Sequence, residues 1–259
     1  MKSQKTGTAG RFPEIFNLYS TKNLAKLTMV PNHPGILEQY ESFLESLTLY
    51  PQLYKIKTVE MDLKGYLNPS HLLNELYFNQ QKWLTFEQFF THYLALFRNE
   101  LEENLSKTSA SDWEEGLRAR LYRTQFGFLT EYHAYFLASE MFGQANVFRE
   151  TSIDVVGVDF QIILDTQKFN IHIFVDTPRS WKYRKYKSNY KNVEHLSGLH
   201  VNLPYSLQPG KIHSLRFLKN GFGVYTKEYL NYFAAEARSG RVLNNNISRV
   251  SEKGFVYSE

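Results

Sequence analysis

The segment VDFQIILDTQKFNIHIFVD, residues 158–176, decides the fold, because it contains two apolar runs separated by a polar turn. Runs rich in Val, Ile and Phe are typical of β-strands, and a short polar break between two of them predicts a hairpin. Alternation along the strands places Asp159 on one face of the first strand, and His172 and Asp176 on one face of the second. We therefore predict a hairpin with two carboxylates and an imidazole on one face.

Two registers of this hairpin are compatible with the sequence. A turn centred on residues 167 and 168 sets Asp159 opposite Asp176. A turn centred on residues 165 and 166, an Asp-Thr pair with better turn chemistry, sets Asp159 opposite His172. Two opposed carboxylates about 5 Å apart repel each other unless a cation lies between them, and carboxylate oxygens suit Mg²⁺.

Structural roles explain the same residues without a metal. Aspartates at strand ends commonly cap turns or pair with arginine, and Arg179 follows Asp176 by three residues. A single histidine on a strand, such as His172, is usually a hydrogen-bonded residue. The hairpin alone therefore leaves a metal site and an ordinary strand end as alternatives.

The chain before the hairpin has the periodicity of helices. Apolar residues recur at helical spacing over residues 36–47, and again after Ser70 and Thr85, which are N-cap candidates. The longest helix is predicted from Ser111 to Gly143, where the glycine favours a stop. The first half of the chain is therefore mainly helical.

The later part of the chain has the pattern of short strands. The segments rich in Val, Ile and Phe are residues 152–164, 169–176, 198–204 and 221–226. The predicted fold class is α+β, or α/β, with a small mixed sheet flanked by helices. We divide the chain into an irregular N-terminal arm (1–34), a helical region (35–110), an α/β core (111–235) with a basic segment (177–192), and a C-terminal tail (236–259).

Composition narrows the class of protein. The chain has 259 residues, of which 42% are hydrophobic, so it can bury a sizeable core. It has no cysteine, which excludes disulfides and thiolate zinc sites. The start is basic and polar, and no run of eighteen apolar residues occurs, so we expect a cytoplasmic protein that does not contact a membrane.

The formal charge of +4 is unevenly distributed. Residues 36–118 contain thirteen acidic and seven basic residues, whereas residues 177–227 contain ten basic residues and one acidic residue. A positive surface of this kind often binds nucleic acid, and a solvated lysine-rich surface is the alternative.

The basic segment TPRSWKYRKYKSNYKN follows the hairpin directly. It alternates cations, which bind phosphates, with aromatic rings, which stack on sugars or bases. Read as a helix, it also places Tyr183, Tyr186 and Tyr190 in a stripe that could pack on the sheet while the lysines face water. The two interpretations are compatible, and both remain open.

A second group of cations lies in the long helix, where Arg118, Arg120 and Arg123 fall within two turns. The fixed fork of arginine suits contacts with phosphate or guanine. Pairing with acidic residues of the same region is the structural alternative.

Taken in order, the motifs resemble the TaqI-type family of type II restriction endonucleases. The matching pieces are KTVEMDLKGYLNP (57–69), TFEQFFTHY (85–93), GLRARLYRT (116–124) followed by Thr130 and His133, GVDFQI (157–162), LPYSLQ (203–208) and NGFGVYTKEYL (220–230). The resemblance covers roughly residues 50 to 235. It implies a PD-(D/E)xK-type nuclease core, Mg²⁺-dependent hydrolysis of DNA, and recognition of a short palindromic site by a homodimer.

The resemblance also assigns individual residues. Asp159 matches the family's metal-binding aspartate, Asp176 falls where the family has an acid, and Arg179 matches a family arginine. His172 stands at the Gln and Phe174 at the Lys of the family's Gln-x-Lys strand motif. The lysine is expected to orient the attacking water and offset phosphate charge, and phenylalanine does neither.

Three explanations account for this departure. In the one we favour, Asp159 and Asp176 hold Mg²⁺, His172 is a ligand or base, and Lys182 or Lys185 replaces the missing cation. In the second, the protein binds DNA without cutting it. In the third, the inferred register is shifted and another side chain fills the role.

We therefore expect a sequence-specific DNA endonuclease that uses Mg²⁺, with Mn²⁺ as a substitute, and a DNA methyltransferase of the same site as its companion. The residues expected to bind double-stranded DNA are Arg120, Arg123, Arg179, Lys182, Arg184, Lys185 and Lys187. The alternatives are a DNA-binding protein of the same fold without hydrolysis and an RNA-binding module that uses single-stranded substrate.

Overall fold

The computed structural model describes residues 33–58, 63, 67–80, 82–105, 113–150, 153, 157–190, 196–212, 214–240, 247–249 and 256–257. Within these residues the protein has the mixed α+β fold that the sequence predicts, with helices flanking a four-stranded sheet and a mainly helical N-terminal half. The predicted N-terminal arm, except its last two residues, lies outside the described part.

The helices alternate with strands only in the second half of the chain. The α-helices are α1 (Ile36–Ser46), α2 (Pro69–Asn74), α3 (Phe86–Leu105), α4 (Trp113–Phe142), α5 (Pro178–Tyr190) and α6 (Lys227–Arg238). The strands are β1 (Val147–Phe148), β2 (Phe160–Leu164), β3 (Gln167–Val175), β4 (Leu199–Tyr205), β5 (Arg216–Phe217), β6 (Gly223–Val224), β7 (Ile247–Arg249) and β8 (Val256–Tyr257). Helix α6 crosses the boundary at 235 that the sequence predicts for the C-terminal tail.

Local capping explains where several helices begin and end. Thr85 caps α3 as predicted, because its hydroxyl accepts from the Gln88 amide and the Gln88 side chain accepts from the Thr85 amide. Gly143 ends α4 with a φ of 86°, a left-handed value that favours glycine. The prediction of Ser70 as an N-cap is wrong: Asn68 caps α2 by accepting from the Ser70 amide, with proline at the first helical position.

The hairpin forms the centre of the sheet, whose strand order is β1-β2-β3-β4. Strands β1, β2 and β3 are antiparallel, and β4 runs parallel to β3 after the crossover through α5. The turn is centred on Asp165 and Thr166, whose φ angles of 47° and 75° form a tight two-residue hairpin loop. Of the two registers open to the sequence, the structure therefore has the one that sets Asp159 beside His172.

The two faces of this sheet have different compositions. One face carries the buried apolar residues Phe160, Ile162, Phe169, Ile171, Val201 and Leu203. It packs against α4 and α6, with ring contacts from Phe160 to Tyr135 and from Phe169 to Phe233. The other face carries polar residues and lies under α5, so the chemistry of the hairpin is concentrated on that face.

Two short antiparallel pairs complete the described structure. Strands β5 and β6 form one pair, and β7 and β8 form the other. The loop between β5 and β6 returns to α1, because the Asn220 amide group donates to the carbonyls of Leu44 and Leu47. Among the described helices, none is both long and apolar enough to cross a membrane.

Candidate active site and DNA-binding surface

Asp159 lies immediately before β2, where the hairpin opens. Its amide donates to the Ile171 carbonyl at 2.9 Å, and its Oδ2 accepts from the Ile173 amide at 2.5 Å. Both contacts come from the neighbouring strand β3, so the carboxylate is held at the edge of the polar face. The side chain is half-buried, which leaves part of it accessible to a ligand.

Arg149 links Asp159 to helix α4. Its side chain is fully buried, and it donates through Nη1 to the Asp159 carbonyl at 2.8 Å and through Nη2 to Glu131 Oε2 at 3.3 Å. The guanidinium also lies over the ring of Tyr132, 4.6 Å from its centroid. One buried cation thus draws a carboxylate of α4 toward the strand that carries Asp159.

Tyr205, on β4, is influenced by the charges of both Glu131 and Asp159. Burial raises the pKa of its hydroxyl, and the negative charges of Glu131 and Asp159 raise it further, while Thr130 hydrogen-bonds to it. The two carboxylates therefore act on one buried phenol. Sequence reasoning missed the roles of Glu131, Arg149 and Tyr205, and the only signal was that Glu131 follows Thr130 and Tyr205 lies within the LPYSLQ motif.

The polar face behind Asp159 is a continuous hydrogen-bond network. His172 Nε2 and His200 Nδ1 are 2.9 Å apart, with the rings stacked. Asn170 lies 3.4 Å from His200 Nε2 and accepts from Gln161 at 2.6 Å. All four side chains are buried, so the network is built inside the protein. His172 is thus bonded to a histidine of the adjacent strand, a partner that its sequence position did not reveal.

Asp176 has strong partners of its own. The Trp181 indole donates to Oδ1 at 2.6 Å, and the Lys211 ammonium lies 2.7 Å from Oδ2. Both carboxylate oxygens are therefore engaged by groups of α5 and of the loop after β4. The structure does not place Asp176 opposite Asp159, and its role as a metal ligand remains a prediction.

Helix α5 is docked on the polar face by two inward side chains. Trp181 packs edge-on against Phe174, with ring centroids 4.9 Å apart, and Arg184 Nε donates to Asn202 Oδ1 at 3.1 Å. The interpretation of the tyrosine stripe as a packing face is wrong for Tyr183, whose side chain is 56% exposed. The indole and the guanidinium set the rotation of the helix, so Tyr183 faces solvent.

Arg184 is electrostatically linked to Asp159. Burial lowers the pKa of its guanidinium, and the negative charge of Asp159 raises it. Asn202, to which Arg184 donates, is paired in register with His172 on β3. Since His172 lies beside Asp159, these residues form a row across three strands, with Arg184 above its far end.

Three predicted DNA-binding arginines come together beside this row. Burial lowers the pKa of Arg123, and the positive charges of Arg179 and Arg120 lower it further. A cavity of about 300 Å³ opens here. It is lined by Ser70, Arg120, Arg123, Thr124, Gly127, Phe128 and Glu131. Glu131 lines this cavity and is also bonded to Arg149, the residue that contacts Asp159. The arginine cleft therefore adjoins the Asp159 site.

The arginines differ in what else they bind. Arg123 donates through one amino group to three backbone carbonyls in residues 53–56, so it also fixes the turn that follows α1. Arg118 pairs with Glu87 and lies over the Phe90 ring, which matches the structural alternative for that residue. Arg120 is exposed at the cleft.

The remaining predicted cations lie along α5. Arg179 and Lys182 are exposed, and Lys182 lies on the outer face of the helix. Lys185 and Lys187 belong to the same helix, and their side chains lie outside the described part of the structure. The outer face of α5 thus presents positive charge together with the exposed ring of Tyr183.

The donors near Asp159 fit a hard cation. In the described part of the chain, no group of three or more histidine and acidic side chains is arranged to hold a metal ion. Mg²⁺, however, is commonly bound by one or two carboxylates together with waters and substrate phosphates. Asp159 and Glu131 are carboxylates of this kind, and Arg149 bonds to the main-chain carbonyl of Asp159 and to the carboxylate of Glu131.

Comparison with known proteins identifies relatives over most of the chain. Residues 37–213 match the family model described as TaqI restriction endonuclease. The chain is 30% identical to the type II restriction enzyme TaqI of Thermus aquaticus over 230 residues, which cover 75% of this chain and 85% of the relative. It is also 30% identical over 228 residues to the type II restriction enzyme TthHB8I of Thermus thermophilus, with the same coverage. No solved structure gives a significant match.

Proposed function

Because this chain belongs to the TaqI restriction endonuclease family, we propose that it is a sequence-specific DNA endonuclease. It hydrolyses a phosphodiester in each strand of a short palindromic duplex site and depends on Mg²⁺, for which Mn²⁺ substitutes. The observation that carries the proposal is the buried Arg149, which bonds to the main-chain carbonyl of Asp159 and to the carboxylate of Glu131, next to a cleft lined by arginines.

The carboxylates have the chemistry that a phosphodiesterase needs. Asp159 and Glu131 would hold the divalent ion, since one guanidinium, that of Arg149, bonds to the main chain of Asp159 and to the carboxylate of Glu131. When bound, such an ion supplies Lewis-acid polarisation of the phosphate and a nucleophilic water at neutral pH. Arg149 ties the backbone of Asp159 to the helix that carries Glu131, because its fork binds both.

The surrounding cations would bind the DNA backbone. Arg120 and Arg179 lie on the cleft side, and Lys182 lies on the outer face of α5. Cations distributed in this way supply the salt-dependent affinity for phosphates, and the bidentate fork of arginine can also read guanine. Lys185 and Lys187 extend the same surface in our proposal.

His172 has a positioning role in the proposed site. Its Nε2 is bonded to His200 Nδ1, and the ring lies between Asp159 and Asn202 in the row across the sheet. It therefore holds the polar face in register. The earlier expectation that His172 binds metal or acts as a base remains a prediction.

The assembly follows from the substrate. A palindromic duplex has two-fold symmetry, which a homodimer matches by presenting one active site to each strand. A DNA methyltransferase that modifies the same site would protect the host DNA, which places both proteins in the cytoplasm.

The decisive experiment is cleavage of mixed-sequence duplex DNA. We expect discrete fragments with Mg²⁺ or Mn²⁺, none with a chelator, and a loss of more than about 100-fold for Asp159→Asn. Asp165→Asn is a matched control, because that aspartate lies in the hairpin turn and pairs with the exposed Arg238. Uncut DNA at every metal concentration would refute the endonuclease assignment.

DNA binding without cleavage is the second candidate. It is favoured by Phe174, which stands at the position of the family lysine and packs against Trp181. A footprint on duplex DNA with no metal-dependent fragments would support this function. Tight binding to single-stranded RNA alone would refute both.

A further inference from the structure

Arg184 is placed differently from the other cations of helix α5. Arg179 and Lys182 are exposed, whereas Arg184 is half-buried between the helix and the polar face of the sheet. It is anchored through Nε to Asn202 Oδ1 at 3.1 Å. Placing a guanidinium in this position costs solvation, so a partner is expected for its charge.

The anchor leaves the rest of the fork available. A guanidinium has five N–H donors, and the bond to Asn202 uses only the one on Nε. Within the described part of the chain, the two terminal amino groups of Arg184 have no hydrogen bond. Two parallel N–H donors of this kind match two oxygens of a phosphate.

The fork lies in the electrostatic reach of Asp159. The row of Asp159, His172 and Asn202 crosses adjacent strands, and Arg184 covers the Asn202 end of that row. The charge of Asp159 stabilises the charged form of Arg184. A phosphate bound before Asp159 would therefore meet a fixed cation coming from the helix.

We propose that Arg184 is a catalytic residue whose terminal amino groups bind the phosphate that is cleaved beside Asp159. The inference rests on the proposed endonuclease function and gives one residue a defined role in that site. The strand itself provides no cation at this place, since Phe174 is packed against Trp181. The helix supplies the charge instead, and Lys182 is too exposed on the opposite surface to do so.

The test compares Arg184→Met, Arg184→Lys and Lys182→Met. Single-turnover cleavage with Mg²⁺ is measured on a duplex that contains the mapped site. We expect a loss of about 100-fold for Arg184→Met and partial recovery in Arg184→Lys, which keeps the charge without the fork. Circular dichroism melting verifies that each variant is folded.

A second measurement locates the contact without any cleavage. Binding is measured by fluorescence anisotropy in a metal chelator, with a normal duplex and with duplexes that carry one uncharged methylphosphonate. Arg184→Met should weaken binding to the normal duplex by roughly tenfold, and the methylphosphonate at the cleaved position should then cost little more. Lys182→Met should lose the same factor on both duplexes.

The outcomes separate the inference from the function on which it rests. If the wild-type protein cuts DNA and Arg184→Met cuts equally well, the role of Arg184 is refuted and the endonuclease stands. If the protein binds but does not cut, the endonuclease and the catalytic role of Arg184 both fail, and only a phosphate contact by Arg184 can then be supported, by a methylphosphonate scan. A protein that does not bind duplex DNA overturns both.

Discussion

The two faces of the four-stranded sheet are formed by the same strands but differ in composition and in the contacts they make. On one face, residues such as Phe160 and Ile171 are fully buried against α4 and α6. On the other face, His172 and Asn170 are also buried, but each has a polar partner on a neighbouring strand. Burial alone therefore does not distinguish core from site. The hydrogen-bond partners do, because a buried polar group without a partner is costly.

The comparison predicts that the apolar face carries the stability of the sheet. Phe160→Ala removes a fully buried ring that packs on Tyr135, and we expect a loss of about 3–5 kcal/mol in the free energy of unfolding. Urea denaturation of the variant measures this loss. A loss below about 1 kcal/mol would contradict the assignment of this face as the core.

On the polar face, we expect substitutions that break the hydrogen-bond network to lower both stability and DNA cleavage. His172→Leu replaces the imidazole by an apolar side chain and leaves His200 Nδ1 without its present partner, so we expect a loss of about 1–3 kcal/mol in the free energy of unfolding. DNA cleavage should fall as well, because the row that holds Asp159 is disturbed. Replacing both histidines by leucine should restore part of the stability and none of the cleavage, which separates the two roles.

The helical layer behind the apolar face contains its own buried pair, and its pH dependence is predictable. The hydrogen bond from His133, followed by that from Arg216, lowers the pKa of Glu41 to about 2, despite burial. Burial lowers the pKa of His133, even though Glu41 opposes this shift. Both folded-state pKa values lie below the unfolded ones, so both groups stabilise the fold above their ordinary values and lose that contribution as the pH falls.

The melting temperature should therefore drop first below about pH 6.5, as the histidine of the unfolded chain gains a proton, and again below about pH 4.5, toward 2. The second drop should be smaller in Glu41→Gln, measured by circular dichroism at each pH. If the melting temperature of that variant falls below about pH 4.5 as much as that of the wild type, other carboxylates dominate acid unfolding.

The smallest effect is expected at Asp176. Its oxygens are already bound by Trp181 and by the partly exposed Lys211, so its charge is already paired within the protein. Asp176→Asn should stay within about tenfold of wild-type cleavage, in contrast to Asp159→Asn in the same assay. A loss as large as that of Asp159→Asn would establish Asp176 as a metal ligand.

Local patterns were sufficient for much of the fold. The helix after Pro34 begins and ends near its predicted bounds, Thr85 caps its helix, and the Asp-Thr turn selects the register of the hairpin. These features depend on the periodicity of apolar residues and on the turn preferences of a few residues. Both are properties of neighbouring positions in the sequence. Short strands such as β1 were not predicted, because two residues carry no period.

The site was only partly predictable. Asp159 stands in a strand motif that can be found from sequence, and the structure puts it at the edge of the polar face. Its surroundings come from far along the chain: Glu131 belongs to the long helix and Asn202 to a parallel strand after a crossover. No local pattern states which distant residue will meet a given carboxylate.

The sequence by itself therefore determined the helical first half, the hairpin, the clustering of positive charge after residue 177, and the family, while the register of the hairpin was left between two alternatives. The tertiary structure decided which polar groups became partners. It bound His172 to His200, engaged Asp176 with Lys211, and turned Arg184 inward while Tyr183 faced solvent. The physical reason is that a strand or helix fixes only the face on which a side chain lies, whereas the packing of separate elements fixes what that face meets.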